Sequence, residues 1–151
     1  MTWNELVRLG GRGLAAGAAG TAVMTAVQML EMKLQNREPS TVPAQAVEKL
    51  TRVQPKNEAQ ELRLANATHW LYGTSWGLPR ALLSATRLGG IGATLSHLAL
   101  VWGTAAWMLP ALELAPPVKK WGKKQIAIDV LHHAVYAGAT GLAFRWLTRR
   151  G

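Results

Sequence analysis

The longest segment without a charged side chain is LGGIGATLSHLALVWGTAAWMLPAL, residues 88–112, which lies between Arg87 and Glu113. An α-helix rises about 1.5 Å per residue, so about 20 residues cross the hydrocarbon core of a bilayer. The 25 residues of this segment are therefore enough for one transmembrane helix.

Three further segments follow the same pattern. Residues 13–30 carry no charge, residues 64–86 carry only Arg80, and residues 126–147 carry only Asp129 and Arg145. The pattern predicts an all-α fold, which is an integral membrane four-helix bundle forming a single transmembrane domain over residues 1–151. The predicted spans are residues 13–32, 62–86, 88–110 and 126–147.

Two other interpretations of these segments remain open. A soluble bundle could bury the same helices, because Gly, Ala and Thr make the segments only moderately apolar. The first segment could also be a signal peptide, since Arg8 and Arg12 precede an Ala-rich run. That run continues to Gln28 without an obvious small-residue cleavage site, which favours an uncleaved first helix.

The composition favours a membrane protein and excludes several kinds of site. Charged residues make up 17% of the 151-residue chain, against about 25% in an average soluble domain. The 17 Lys and Arg and 8 Asp and Glu give a net charge of +9. The sequence contains no cysteine, which excludes disulfides, thiolate metal sites, iron–sulfur clusters and cysteine nucleophiles.

Each predicted span contains small residues four positions apart. The pairs are Gly13 with Gly17, Gly73 with Gly77, Gly92 with Ser96, and Ala134 with Gly138. Helices in lipid are held together largely by close backbone approach through small residues. The four pairs therefore predict a compact bundle, and they favour a homo-oligomer or a larger membrane complex.

The long first connection, residues 31–63, is predicted to contain an amphipathic helix. Pro39-Ser40-Thr41 is a helix-start signal. One face of the helix that follows carries Val42, Ala46, Val47, Leu50 and Val53. We expect this helix to lie on the membrane surface or over the mouth of the bundle. The next helix should begin near Glu58, and Pro79 should kink it.

The last connection carries four lysines around a tryptophan: Lys119, Lys120, Trp121, Lys123 and Lys124. Lysines near a helix N-terminus oppose the helix dipole, so helix stability does not explain them. We interpret the cluster as an anchor that binds anionic lipid headgroups, with Trp121 at the membrane boundary. Nucleic acid is not expected as a partner, because the cluster is short and lies between two spans.

Polar side chains inside the predicted spans are the candidates for a functional site. They are Gln28, Glu31, His69, Tyr72, His97, Asp129, His132, His133 and Tyr136. Counting about 1.5 Å per residue from the span ends places His69 and His132 at similar depths, on the side where the first span ends. One polar layer is therefore predicted to contain Gln28, Glu31, His69, Asp129, His132 and His133, with His97 nearer the midplane.

Several uses of this layer remain open. A divalent metal such as Zn, Fe or Mn would find nitrogen and oxygen ligands in Glu31, His69, Asp129 and His133. His69 facing His132 or His133 could ligate a haem. The same groups could also carry protons or a small solute, or could only fix the register of the helices. The absence of any cofactor is the favoured expectation.

The motifs of common enzymes are missing from the sequence. It contains no nucleophile elbow, no glycine-rich phosphate loop and no HExxH, and its 4 histidines are too few for the histidine boxes of membrane oxygenases. We therefore expect a non-enzymatic integral membrane protein that acts as an accessory or structural component. The alternative is a binding or transport protein that uses the polar layer.

Short patterns spread along the chain carry a resemblance to a known group. They are Gly20-Thr21, Glu31-Met32, Arg37-x-x-Ser40-x-x-Pro43-x-x-x-Val47 and Asp129-x-x-His132-His133-x-x-Tyr136. With these patterns the chain resembles small bacterial inner-membrane proteins, in particular the YagU-like group. The resemblance implies a helical protein of the bacterial inner membrane without an assigned reaction, so no catalytic residue follows from it.

Overall fold

The computed structural model describes residues 2–149, and within that range the chain is helical and contains no β-strand. Its α-helices are α1 Trp3–Gln35, α2 Val42–Thr51, α3 Glu58–Ser75, α4 Gly77–Leu83, α5 Gly89–Ala111 and α6 Lys123–Arg149. A short 3₁₀ helix, Val118–Lys120, precedes α6. The predicted all-α bundle is confirmed. The four predicted spans correspond, in chain order, to α1, to α3 together with α4, to α5 and to α6.

Helix α1 is the centre of the bundle. It packs against α6, α3 and α4, whereas α5 packs against α6 and α4. α1 and α6 run antiparallel, because Gly20 faces Thr140 while Leu9 and Leu147 pack around the same buried cluster near the other end. The first and last helices of the chain are therefore direct neighbours.

Local signals start the helices largely as predicted. The Asn57 side chain accepts a 3.0 Å hydrogen bond from the backbone N–H of Gln60, so α3 begins at Glu58. The amphipathic helix α2 is also present, but its N-cap residue Thr41 makes no side-chain cap. Instead, the Ser40 hydroxyl accepts from the backbone N–H of Val42 at 3.3 Å.

The second predicted span is broken rather than only kinked. α3 ends at Ser75 and α4 begins at Gly77. Pro79 has no N–H to donate to the carbonyl four residues earlier, which is that of Ser75, and its ring clashes with the preceding turn. The interruption therefore lies one helical turn before the proline.

Two of the four small-residue pairs bring helices together. A Cβ on Gly13 would lie 2.9 Å from the Cβ of Ala81, and a Cβ on Gly77 would collide with the Gly13 backbone. A Cβ on Gly138 would meet nothing within 4 Å, and one on Gly92 would meet only Leu88. Among the described residues, neither Gly92 nor Gly138 is therefore a point of close approach between helices.

The core of the bundle consists of small and polar side chains. The largest fully buried side chains are those of Arg80, His97, Thr21 and Thr140, and most of the buried hydrophobic residues are alanines. Large apolar side chains lie on the outside instead. The exposed fraction is 79% for Ile91, 73% for Leu71 and 67% for Leu142.

Among residues 2–149, only α1 is both long enough and apolar enough to cross a membrane. The core helix of a soluble protein or a signal sequence can have the same length and composition. The four-span arrangement therefore remains a prediction.

Candidate functional site

A cavity of about 510 Å³ opens between α1, α2, α3, α5 and α6. It lies at what we call the connection end of the bundle, formed by the last turns of α1, the first half of α3 and the first half of α6. Five of the nine predicted polar residues line it: Gln28, His69, Tyr72, Asp129 and His133. Most of the predicted layer is therefore assembled around one cavity.

The other predicted residues lie outside this cavity. Glu31 is at its edge and accepts a 2.7 Å hydrogen bond from Arg37, which lines the cavity. His132 is buried, and its Nε2 has no hydrogen-bond partner. His97 and Tyr136 form a separate cluster in which their ring centroids are 5.6 Å apart.

His69 is oriented by a threonine that the sequence reasoning did not select. His69 Nε2 and the Thr25 hydroxyl are 3.0 Å apart, and the same hydroxyl donates to the carbonyl of Thr21 at 2.8 Å. A hydroxyl has only one proton to donate, so His69 Nε2 is the donor to Thr25. In the neutral ring, Nδ1 of His69 is then an acceptor. Helical spacing from Thr21 was the available signal for Thr25.

Asp129 is held by a tryptophan from α5. The Trp102 indole N–H donates a 2.8 Å hydrogen bond to the Asp129 carboxylate. His133 Nδ1 donates to the backbone carbonyl of Asp129 at 2.8 Å and lies 3.7 Å from its carboxylate. No sequence pattern pointed to Trp102, because the contact joins residues 27 positions apart.

The polar lining of the cavity contains both donors and acceptors of hydrogen bonds. The Asp129 carboxylate can only accept, whereas the Gln28 and Asn66 amides and the Ser40 and Thr68 hydroxyls can do both. The positive charge of Arg37 at the rim is paired with Glu31. Among residues 2–149, the half-buried Asp129 carboxylate has no ion pair with Lys or Arg, and the His133 imidazole lies 3.7 Å from it.

The Tyr72 hydroxyl is the polar group of the cavity that the protein leaves unsatisfied. Its oxygen is buried and makes no hydrogen bond with residues 2–149, whereas its ring packs edge-on against Trp76 at 6.0 Å. A buried polar group without a partner costs about 1–3 kcal/mol. A bound molecule that bonds this hydroxyl would remove the cost.

Helix α2 supplies part of the apolar wall. Val42, Ala46, Val47 and Leu50 line the cavity, and α2 packs against α3. The prediction that this helix covers the mouth of the bundle agrees with this arrangement. Val53 does not belong to the helical face, because α2 ends at Thr51 and Arg52 adopts a left-handed conformation.

Neither the metal prediction nor the lipid-headgroup prediction is established. Within the described range, no group of three or more His, Asp or Glu side chains is arranged to hold a metal ion. Lys119, Lys120, Lys123 and Lys124 are exposed. Trp121 is half-buried, and its indole N–H donates to the carbonyl of Pro116 at 2.6 Å.

Comparisons with protein-family models, curated proteins and solved structures find no significant match to this chain. The chemistry of the cavity and the distribution of apolar residues therefore carry the functional argument.

Proposed function

We propose that this chain is a non-enzymatic, multi-pass protein of the bacterial inner membrane, and that its cavity binds a small amphipathic molecule. The membrane part rests on one observation, which is the placement of apolar residues. The ligand part rests on the lining of the cavity. The inner-membrane location follows the resemblance to YagU-like proteins, and an accessory role in an oligomer or larger complex belongs to the same proposal.

The distribution of side chains is the inverse of that in a soluble bundle. Soluble proteins bury Leu, Ile, Val and Phe and keep Arg and His near water. Here Arg80 and His97 are 2% and 0% exposed, whereas Ile91 is 79% exposed. In lipid the outer surface faces hydrocarbon, and polar groups turn toward the interior of the bundle. A bilayer therefore accounts for both halves of the pattern.

The cavity has the size and lining of a small-molecule site. Such sites have volumes of about 300–1,000 Å³, apolar walls and a few polar groups that fix orientation. The apolar walls come from α2 and the end of α5, and the polar groups cluster around His69, Tyr72 and Asp129. A ligand with an apolar body and a small polar head that donates and accepts hydrogen bonds, such as a hydroxyl, matches this lining.

Single cysteines test the membrane location cleanly, because the chain has none. Leu95→Cys lies on the outer face of α5, where Leu95 is 60% exposed, and Gln54→Cys lies in the exposed first connection. In membrane fragments open on both sides, a water-soluble maleimide should label Gln54→Cys readily. Leu95→Cys should react only after unfolding in SDS. Equal labelling of both variants would contradict a bilayer around α5.

Filling the cavity tests ligand binding. Ala105 lines the cavity, whereas Ala99, on the same helix, is exposed and does not. Small molecules extracted from detergent-purified protein and measured by mass spectrometry should be present for wild type and Ala99→Phe, and depleted for Ala105→Phe. Equal recovery from all three, or recovery from none, would reject the proposed binding role.

A further inference from the structure

A second unsatisfied site lies at the opposite end of the bundle, around Arg80 of α4. Two nitrogens of its buried guanidinium, Nε and Nη1, make no hydrogen bond. The guanidinium carbon lies 5.1 Å from the ring centroid of Phe144 on α6. The aromatic face attracts the cation, but it accepts none of the conventional hydrogen bonds that these two nitrogens could donate.

The described residues provide no counter-charge for Arg80. None of the acidic side chains in residues 2–149 forms an ion pair with it. Glu5, near the start of α1, is held in a capping box with Thr2. Arg145 adds a repulsive positive charge. A buried charge without a partner is unfavourable, so an anion from outside the chain would stabilise this site.

The space around the guanidinium is shaped by α5 and α6. A Cβ on Gly141 would lie 2.7 Å from the Thr94 hydroxyl and 3.7 Å from Arg80 Nε, so this glycine lets α5 approach α6 closely beside the arginine. The ring of His97 is fully buried nearby and interacts electrostatically with Arg80. His97 Nε2 donates to the carbonyl of Trp76 at 2.9 Å, and its Nδ1 has no partner. Arg80 on α4 and His97 on α5 therefore both leave buried nitrogens without hydrogen-bond partners among residues 2–149.

The basic residues at this end are all arginines. They are Arg8, Arg12, Arg80, Arg87, Arg145 and Arg149, whereas the lysines of residues 2–149 all lie toward the connection end. The planar guanidinium can donate two parallel hydrogen bonds to a phosphate, which an ammonium cannot do. Arg145 lies beside Gly90, next to the exposed turn that follows α4. Arg145 therefore lies at the surface end of this site, whereas Arg80 is buried behind it.

We propose that Arg80 and Arg145 bind a phosphate-type oxyanion at the end of the bundle opposite the cavity. The anion is either free phosphate or the headgroup of an anionic lipid. Arg80 supplies the buried donors and Arg145 supplies charge nearer the surface. The free-phosphate form of this proposal does not depend on the membrane location or on the cavity, whereas the headgroup form depends on the membrane location.

Thermal unfolding of the detergent-purified full chain tests the proposal. The probes are sodium phosphate against sodium chloride at equal ionic strength, and phosphatidylglycerol against phosphatidylcholine in the micelles. At least one anionic probe should raise the Tm of wild type by about 5 °C over its control. A response to phosphate identifies a free anion, and a response to phosphatidylglycerol alone identifies a lipid headgroup.

Variants at Arg80 separate a specific site from general charge effects. Arg80→Met should abolish the anion response, and Arg80→Lys should retain part of it. Arg63→Met, at an exposed position of α3 near the connection end, should respond like wild type. Without any anion, Arg80→Met should be at least as stable as wild type, because it removes an unpaired buried charge.

Three results would overturn the proposal. The first is a wild-type Tm that responds to neither anionic probe. The second is an Arg80→Met variant that responds like wild type. The third is an Arg80→Met variant that melts well below wild type in chloride, since the protein itself would then already satisfy the guanidinium.

Discussion

The Tyr136 hydroxyl donates a 2.6 Å hydrogen bond to the backbone carbonyl of Gly73 and thereby joins α6 to α3. Both residues also pack beside α1: Gly73 lies against Thr21, and the carbonyl of Tyr136 lies 3.0 Å from a Cβ built on Gly20. Three helices are therefore fixed to one another around a single side-chain hydrogen bond.

Tyr136→Phe should reduce stability by about 1 kcal/mol, because it removes a buried hydrogen bond without changing the packing of the ring. Unfolding of the detergent-purified protein by heat or by SDS measures the change. Tyr72→Phe is the matched control, since the Tyr72 hydroxyl has no partner in residues 2–149. Its stability without ligand should equal or exceed that of wild type. A larger loss for Tyr72→Phe than for Tyr136→Phe would contradict the two assignments.

Gly77→Ala should destabilise the bundle by about 1–3 kcal/mol, because the added methyl group collides with the Gly13 backbone and forces α1 away from α4. The control is Gly138→Ala, where the new methyl group meets no atom within 4 Å. In a helix, this control should be neutral or stabilising by up to about 1 kcal/mol. Midpoints of thermal unfolding compare the two variants. Equal losses would indicate that the helix contact at Gly77 is not tight.

Asp129→Ala should cost about 1–3 kcal/mol, because the indole N–H of Trp102 then loses its acceptor in a partly buried position. Asp129→Asn should retain most of the stability, since an amide oxygen can still accept that hydrogen bond. The comparison of the two variants by thermal unfolding separates the hydrogen bond from the negative charge. An Asn variant as unstable as the Ala variant would show that the charge is what matters.

The purified protein is expected to contain no stoichiometric metal and no haem. The structural reason is that no three of the candidate ligands converge within residues 2–149: only Asp129 and His133 lie together, whereas Glu31 pairs with Arg37 and His69 with Thr25. Elemental analysis and a visible absorption spectrum of detergent-purified protein provide the measurement. One equivalent of Zn, Fe or Mn that is lost in His69→Ala, or a Soret band, would restore the metal or haem interpretation.

The starts of α2 and α3 and the disturbance by Pro79 follow from neighbouring residues, which is why the sequence predicts them, although it predicts a kink where the structure has a break. Asn57 caps α3 through a residue three positions away, and Pro79 breaks the span at the residue four positions before it. The amphipathic face of α2 is equally local. The missing side-chain cap at Thr41 is a small departure, because the adjacent Ser40 takes over that hydrogen bond.

The site was predicted less completely, because its contacts join distant parts of the chain. Periodicity found Gln28, His69, Asp129 and His133, since each is a polar residue in an apolar span. It missed Thr25 and Trp102, whose roles depend on which residue faces them from another helix. It also did not separate His132 from His133, because the rotation of α6 within the bundle sets which of them lines the cavity.

By itself, the sequence determined that the chain is helical, where α2 and α3 begin, and which polar residues interrupt the apolar spans. These properties depend on residues within a few turns of one another. Only the tertiary structure decided that large apolar side chains face outward, that a cavity forms under α2, and that Arg80 is buried without a counter-charge. These features depend on how far each helix is rotated about its own axis. That rotation is set by close packing between helices that are distant in sequence, for example at the contact of Gly13 with Gly77.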